Sequence, residues 1–240
     1  MIEIISLSKK FGERFAVKDL QLEIPGGAMY GFLGPNGAGK TTTLRMLMGL
    51  LQPTSGSATI DGYDVTYDSI KVKSVVGYLP DEIFLYDYLS GRQFLEFVAD
   101  IHKIEKSVVS ERIDRLLELF NLSSAADDFT ANYSFGMKKK IALAGIVIHH
   151  PKVLILDEPF NGLDPQATRD FRNLLKSMVE QGTTVIFSSH VLEVVEKLVT
   201  HAGIIAHGEL KLSAPLTEII SQFGSLEEAF FELTEIRPES

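Results

Sequence analysis

The sequence predicts an α/β fold with a mainly parallel sheet, and three observations lead to this prediction. Short aliphatic runs alternate with amphipathic helical patterns in both halves of the chain, which is typical of parallel strands joined by helices. A glycine-rich segment at residues 34–41 separates one such run from a helical pattern. From about residue 88 to residue 150 the apolar residues recur only at helical spacing. We therefore predict a core formed by residues 1–82 and 151–215, a helical subdomain at about 83–150, and a C-terminal helical tail at 216–240.

Strands are predicted where short aliphatic runs are bounded by turn residues, and helices where apolar residues recur at helical spacing. The predicted strands lie at residues 2–6, 20–24, 28–33, 57–60, 75–79, 153–156 and 184–187. The predicted helices lie at residues 42–48, 137–148, 165–181 and 191–198. A polar loop that contains Phe11 separates the first two predicted strands. We therefore predict an N-terminal antiparallel β part.

Charge argues against one class of partner. The net charge is −9, from 23 basic and 32 acidic residues, whereas general nucleic-acid binding depends on surface cations. No nucleic-acid partner is therefore expected. The cationic run at residues 138–140 is interpreted as a solvated helix face.

Composition also limits the chemistry and the location. The chain has no cysteine, so it forms neither disulfides nor thiolate metal sites. Its first residues lack the basic and apolar blocks of a secretory signal. The apolar run at residues 141–148 is far shorter than the ~20 residues of a membrane helix. We expect the chain not to span a bilayer.

Residues 34–41 match the phosphate-binding pattern G-x-x-x-x-G-K-[ST], with a strand predicted before them and a helix after them. Glycines allow the backbone to turn its N–H groups towards a phosphate, and the helix N-terminus adds partial positive charge. Lys40 is expected to reach the β- and γ-phosphates, and the Thr41 hydroxyl is expected to hold Mg²⁺. The candidate nucleotide-binding residues here are Gly34, Pro35, Asn36, Gly37, Ala38, Gly39, Lys40, Thr41 and Thr42.

A second part of the site is predicted where Asp157 and Glu158 follow the aliphatic strand at residues 153–156. The carboxyl ends of parallel strands are the places where α/β folds bind ligands. Asp157 is expected to bind the Mg²⁺ that Thr41 holds. Glu158 points elsewhere because successive strand residues alternate faces, and it is a candidate to polarise water for attack on the γ-phosphate.

Together these motifs resemble those of the ATP-binding cassette (ABC) ATPases, over nearly the whole chain. Residues 133–137, Tyr-Ser-Phe-Gly-Met, resemble the signature loop, whose usual form is Leu-Ser-Gly-Gly-Gln. Residues 161–164 resemble the D-loop, and residues 188–190 end in His190, which resembles the switch histidine. No GTPase-type Asn-Lys-x-Asp occurs in the sequence, which disfavours the nearest phosphate-loop alternative. The resemblance implies a RecA-like P-loop NTPase core with ATP and Mg²⁺ as cofactors.

The resemblance also implies that two ATPase subunits, identical or different, close around ATP. Ser134 is suited to cap the following helix, whose free N–H groups would face an anion. By resemblance this anion is the γ-phosphate held by the opposite subunit. The residues implied in nucleotide binding across the interface are Ser134, Gly136 and Asp164, and the implied catalytic residues are Lys40, Glu158 and His190.

The sequence departs from the family pattern at several positions. Phe135 and Met137 replace a Gly and the Gln of the signature, and the bulk of Phe135 is capable of reorienting the loop. Asp81 stands where the family has a Gln that senses Mg²⁺ and the membrane partner. A carboxylate binds a cation but cannot donate a hydrogen bond, so Asp81 is a candidate metal ligand, with altered coupling and retained ATP binding expected. Phe11 replaces a base-stacking Tyr and keeps the ring.

The leading functional hypothesis is the ATPase subunit of a membrane transporter, lying in the cytoplasm on the inner face of the cell membrane and bound to a polytopic membrane subunit. The apolar residues within 83–88 lie where the family docks this partner, but the core of the helical subdomain accounts for them equally well. Residues 225–234 resemble the tails of bacterial exporter ATPases. The alternatives are a soluble cassette ATPase acting on ribosomes or DNA, and a regulatory cassette that binds ATP without hydrolysing it.

Overall fold

The computed structural model describes residues 1–235, in which strands and helices alternate. The strands are β1 (Ile2–Phe11), β2 (Arg14–Ile24), β3 (Met29–Leu33), β4 (Ser55–Ile60), β5 (Tyr63–Asp64), β6 (Val76–Leu79), β7 (Val153–Leu156), β8 (Thr184–Ser189), β9 (His201–Ala206) and β10 (Glu209–Pro215). The helices are α1 (Lys40–Leu47), α2 (Ser69–Val75), α3 (Gly91–Ile101), α4 (Lys106–Leu119), α5 (Phe135–Val147), α6 (Pro165–Glu180), α7 (Leu192–Glu196), α8 (Leu216–Phe223) and α9 (Leu226–Thr234).

The larger sheet has the strand order β10-β9-β3-β8-β7-β6, and every neighbouring pair except β10 and β9 is parallel. β3, β7 and β8 are buried along their whole length, as expected of strands that are covered on both faces. In this register Leu33 lies opposite Ser189, and Phe187 lies opposite Leu156. The carboxyl ends of these three strands therefore meet at one edge of the sheet. The predicted mainly parallel α/β fold is confirmed.

The smaller sheet is antiparallel and has the strand order β2-β1-β4-β5, which confirms the predicted N-terminal antiparallel part. β1 and β2 are longer than predicted, since they pair as far as Phe11 opposite Arg14. The prediction of a loop around Phe11 was therefore wrong. The register shifts between Ile4 and Lys10, and such bulges break the period-two pattern by which a strand is read from sequence. β5, α2, β9 and β10 had not been predicted.

Helices fill the segment between β6 and β7, as the helical spacing predicted. Ser90 caps α3 in a capping box with Gln93. α5 begins at Phe135 rather than Met137, and it is buried along most of its length. The proposed boundaries of the core and the helical subdomain stay predictions.

The C-terminal part packs against the core. Leu226, Ala229 and Phe230 of α9 are buried in the same hydrophobic cluster as residues of β9. Residues 236–240 of the predicted tail lie outside the described residues. Within residues 1–235, each helix is too short or too polar to cross a membrane.

Two stacked histidines lie between α3 and α5. His149, just after α5, stacks on His102, with ring centroids 3.6 Å apart and an interplanar angle of 11°. Burial, reinforced by the neighbouring His102, lowers the pKa of His149 from 6.5 to about 4.

We predict that His149 makes the folded protein less stable as the pH falls from 6.5 towards about 4. In this window the unfolded chain binds a proton at His149 and the folded chain does not, so acid favours unfolding. His149→Phe keeps an aromatic ring and cannot titrate, and it should therefore reduce the stability difference between neutral and mildly acidic solution. Urea unfolding at about pH 7.5 and about pH 5.5 measures this difference. An equal difference in both proteins would contradict the assignment.

Candidate active site

The glycine loop joins β3 to α1 and leaves the N-terminus of α1 open. Gly39 occupies the N-cap position in the left-handed region, with φ 111°, and makes no side-chain cap. A Cβ atom at Gly39 would lie 2.5 Å from the carbonyl oxygen of Ala16, so only glycine fits this close approach. The first N–H groups of α1 are therefore free of a competing side chain and are suited to bind a phosphate.

Lys40 lies within this loop and is only 7% exposed. Its Nζ donates hydrogen bonds to the carbonyl oxygens of Gly34 at 2.5 Å and Pro35 at 3.1 Å. Burial lowers the pKa of the Lys40 ammonium, and the charges of Glu158 and Asp157 oppose this effect. A triphosphate in the loop would offer this ammonium anionic acceptors in place of neutral carbonyls.

A cavity at the edge of the sheet brings the loop and the acids together. It is lined by Ala16, Asn36, Gly37, Gly39, Lys40, Thr41, Thr42, Asp81, Asp157 and Glu158. The sequence had proposed all of these residues except Ala16. The structure therefore places the predicted phosphate, metal and water-polarising groups around one space.

Asp157 is only 1% exposed, and its two oxygens differ in their surroundings. Oδ1 accepts a hydrogen bond from the Ser188 hydroxyl at 2.5 Å, whereas Oδ2 is buried without a hydrogen-bond partner in the described protein. A buried, unpartnered carboxylate oxygen is costly, and a cation would satisfy it. Thr41 and Asp81 line the same cavity, so the oxygen donors present fit Mg²⁺.

The protein alone does not form a complete metal cage here. Within residues 1–235, no group of three or more His, Cys, Asp or Glu side chains could hold a metal ion. Mg²⁺ usually takes one or two carboxylates and completes its shell with water and phosphate oxygens. The donor set is therefore suited to a Mg²⁺ ion that arrives with a nucleotide.

Glu158 follows Asp157 in a conformation that its neighbours stabilise. Its φ is 47°, in the left-handed region that is uncommon for a non-glycine residue. Its N–H group donates to the Ser188 oxygen at 2.9 Å, and its carboxylate Oε1 lies 3.0 Å from His190 Nδ1. The Glu158 side chain is 14% exposed, whereas that of His190 is 55% exposed. His190 thus contacts Glu158 at the solvent side.

Besides Ala16, sequence reasoning missed two residues of this site, Ser188 and Lys139. The Ser188 hydroxyl is fully buried and contacts both acids. Lys139 is 1% exposed, and its Nζ donates to the carbonyl oxygen of Glu158 at 3.1 Å. The interpretation of residues 138–140 as a solvated face was therefore wrong for Lys139, and it was also wrong for Lys140, which pairs with Asp164 at 2.6 Å. The signal available was helical spacing, because Lys139 shares a face of α5 with the apolar Ala142 and Leu143.

A second group of predicted residues does not line the cavity. Ser134 caps α5 by accepting a hydrogen bond from the Met137 N–H at 3.3 Å, as predicted. Asp164 caps α6 through the Ala167 N–H at 2.8 Å, and this bond together with Lys140 lowers the pKa of Asp164. The lining residues of the cavity do not include Phe11, Ser134, Gly136 or Asp164. Phe11 is 53% exposed at the end of β1.

Comparison with known proteins identifies the family. The sequence profile described as ABC transporter matches residues 17–161. The chain belongs to this family. It is 39% identical over 217 residues to an uncharacterised ABC transporter ATP-binding protein, YdbJ of Bacillus subtilis, covering 90% of this chain and 70% of that protein. It is 37% identical over 220 residues to the bacitracin transport ATP-binding protein BcrA of Bacillus licheniformis, covering 91% and 71%. A solved ATP-binding subunit of an ABC transporter superimposes with a TM-score of 0.92 and 29% identity, covering 97% of this chain and 99% of the other.

As an ABC transporter ATP-binding protein, the chain departs from the usual signature at Phe135. This ring is 66% exposed and lies directly against the Cα of Gly162 in the D-loop. The backbone around Gly136 also approaches Gly162, since a Cβ at Gly136 would lie 3.3 Å from the Gly162 carbonyl oxygen. Ser134 still caps α5 in this cassette, so the phenylalanine leaves the start of the helix intact.

We predict that Ser188→Ala slows ATP hydrolysis by this cassette roughly 10- to 100-fold, because small misplacements of reacting groups cost about this much. The variant leaves Asp157 Oδ1 and the Glu158 N–H without their shared partner. It should also raise the Mg²⁺ concentration required for half-maximal rate. Steady-state ATPase assays over a Mg²⁺ series measure both effects.

Thr184→Val provides the matched control for Ser188→Ala. Thr184 is a buried hydroxyl residue at the opposite end of β8, where it accepts a hydrogen bond from the Gly27 N–H at 3.0 Å. Its loss should lower stability without changing the Mg²⁺ requirement. A wild-type rate in Ser188→Ala would show that the hydroxyl bridge is dispensable.

Proposed function

We propose that this chain hydrolyses ATP and, as one of a pair of cassettes, drives a conformational change in a membrane-spanning partner, in a transporter of exporter type. The observation that carries this proposal is the hydroxyl of Ser188. It joins Asp157 to Glu158 beside the phosphate loop, with His190 on the glutamate carboxylate. An inactive binding protein has no need of this arrangement, which therefore favours hydrolysis over the regulatory alternative.

The residues present divide the work of hydrolysis between them. The loop N–H groups and Lys40 would bind the β- and γ-phosphates. Thr41, Asp157 and Asp81 would hold Mg²⁺, which supplies positive charge to stabilise the phosphates. Glu158 would accept a proton from the water whose oxygen attacks the γ-phosphorus, while the bond to the bridging oxygen of ADP breaks. His190 would orient the Glu158 carboxylate from the solvent side.

A second cassette would complete the site. Ser134 and Gly136 do not line the cavity that contains Lys40, so we expect a second chain to bring these residues to the γ-phosphate. The exposed D-loop, with Asp164, would lie along the same interface. Phe11, exposed at the end of β1, would stack on the adenine base. ATP would thus join two chains, identical or different.

A membrane partner would dock beside Asp81. Phe84, Tyr86 and Tyr88 are 84%, 59% and 88% exposed, whereas Ile83 and Leu85 pack against the hydrophobic core. The three exposed aromatic residues are therefore consistent with a docking surface, whereas Ile83 and Leu85 belong to the core of the helical subdomain. Adjacent exposed aromatic side chains are typical of protein interfaces. We place the chain on the inner face of the cell membrane, where such a partner would hold it.

The proposal that the transporter is an exporter rests on similar proteins and not on the geometry of the candidate active site. One similar protein is named for bacitracin transport, and this chain shares 37% of its residues over 220 positions. The soluble alternative, acting on ribosomes or DNA, is less consistent with a net charge of −9. The exposed aromatic cluster also favours a protein partner.

We predict that Glu158→Gln slows hydrolysis by roughly 10²- to 10⁴-fold, because it removes the general base. It should leave a stable ATP-bound dimer that size-exclusion chromatography detects. Adding Ser134→Asp should abolish this dimer, since Asp caps a helix as well as Ser but repels the γ-phosphate. Lys40→Ala should abolish nucleotide binding. A monomeric Glu158→Gln chain, or a dimer that tolerates Ser134→Asp, would contradict the two-chain site.

We predict that affinity purification from detergent-solubilised membranes recovers a polytopic membrane protein in stoichiometric amount with this chain. Phe84→Ser combined with Tyr88→Ser should lose this partner, because both side chains are almost fully exposed in the segment that follows Asp81. Tyr67→Ser is the matched control, since Tyr67 is 90% exposed outside this cluster. Recovery of ribosomal components in place of a membrane protein would overturn the transporter proposal.

A further inference from the structure

Lys139 is a buried cation in the second turn of α5. It is 1% exposed, although lysines are almost never fully buried unless they are paired. Its Nζ donates a hydrogen bond to the main-chain carbonyl oxygen of Glu158 at 3.1 Å. Among residues 1–235, no carboxylate oxygen lies within 4.0 Å of this ammonium. The contact that the lysine makes is therefore with the backbone of the catalytic glutamate.

The acids of the cavity compensate the charge of Lys139 from a greater distance. Burial lowers the pKa of Lys139, whereas the negative charges of Asp81, Asp157 and Glu158 oppose this effect. Asp81 makes the largest opposing contribution, and it is the residue that replaces the usual Gln. The charge of Asp81 therefore stabilises the charged form of Lys139.

The backbone of Glu158 needs such a contact. A non-glycine residue in the left-handed region is strained, and it persists only where its surroundings hold it. The N–H group of Glu158 is held from β8 by Ser188 at 2.9 Å. Its carbonyl oxygen is held from α5 by Lys139. The two hydrogen bonds, one from the sheet and one from a helix, fix the main chain from which the carboxylate projects.

We propose that Lys139 is a positioning residue for ATP hydrolysis, which holds the main chain of Glu158 so that its carboxylate faces the attacking water. The inference rests on the proposed function, in which Glu158 is the base. Lys139 does not contact the reacting atoms. Because α5 begins just after Ser134, one helix carries both the cap proposed to face the neighbouring nucleotide and the ammonium that holds this chain's own base. These two residues lie only about 7–8 Å apart along the helix axis.

Lys139→Met tests this role, because methionine fills similar space without charge. The variant removes the cost of burying an ammonium, but it leaves the Glu158 carbonyl oxygen without this donor, so a thermal melt is needed to confirm that it folds. We expect kcat to fall roughly 10- to 100-fold while KM for ATP changes by less than about threefold. Lys138→Met, at a half-exposed neighbour on the same helix, should keep the wild-type kcat.

A double-variant cycle then separates positioning from a general loss of structure. If Lys139 acts through Glu158, adding Lys139→Met to Glu158→Gln should lower the residual rate little further. An additional loss as large as in the wild-type background would overturn the proposal, as would a kcat for Lys139→Met within about twofold of wild type. Lys139→Leu, which also lacks a donor and has the same expected rates, serves if the methionine variant does not fold.

The wild-type chain distinguishes this inference from the proposed function. ATP hydrolysis by the wild type, and its absence in Lys40→Ala, would support the proposed function independently of Lys139. An active wild type with an unaffected Lys139→Met would overturn only the positioning role. A wild type that hydrolyses no ATP, alone or with its membrane partner, would overturn the proposed function and the positioning role together.

Discussion

The parallel register of β3, β8 and β7 is the constraint on which the candidate active site depends. β7 is apolar on both faces, so a slip of one residue would cost little hydrophobic burial. Such a slip would, however, separate Asp157 from the Ser188 hydroxyl and leave both polar groups buried without partners. The hydrogen bond between Ser188 and Asp157 therefore fixes the alignment of β7 with β8, which the aliphatic residues of β7 alone do not specify. The same hydrogen bonds that align the sheet also assemble the site.

The site concentrates buried charge of both signs. Lys40 and Asp157 are 7% and 1% exposed, and removing such groups from water costs several kcal/mol per ion. Lys40 is satisfied by loop carbonyls, but Asp157 keeps one oxygen without a partner. Phosphate oxygens and a cation are the ligands that would complete both environments. The buried charges at this edge of the sheet therefore favour binding of an anion together with a cation.

Sequence patterns correctly predicted those features that depend only on residues close together in the chain. The four aliphatic residues and two acids at 153–158 gave β7 with its observed bounds, because a buried strand and its end are local features. Ser134 was predicted as a cap for the same reason. Ser188 and Lys139 were missed because their partners lie 31 and 19 residues away. Only the assembled sheet and α5 bring these groups together.

β9 shows why part of the fold was also beyond local reasoning. Gly203 interrupts its apolar run and reads as a turn residue, yet it lies in the strand opposite Phe32 of β3. A Cβ at Gly203 would collide with the ring and hydroxyl of Tyr30. The buried Tyr30 hydroxyl hydrogen-bonds to Ser213 Oγ at 2.8 Å across the sheet. The glycine is required by this tertiary contact, which no pattern within residues 201–206 reveals.

Phe135 illustrates how a departure from a family motif is accommodated by a partner elsewhere. Its ring covers Gly162, whose φ of 76° already favours glycine, so a side chain at position 162 would be strained and would also collide with the ring. Lys140, further along the same helix, forms a salt bridge with Asp164, with Nζ 2.6 Å from Oδ2. The signature loop and the D-loop are therefore joined within one chain at two points. In the proposed pair of cassettes, the two loops would therefore form one continuous surface.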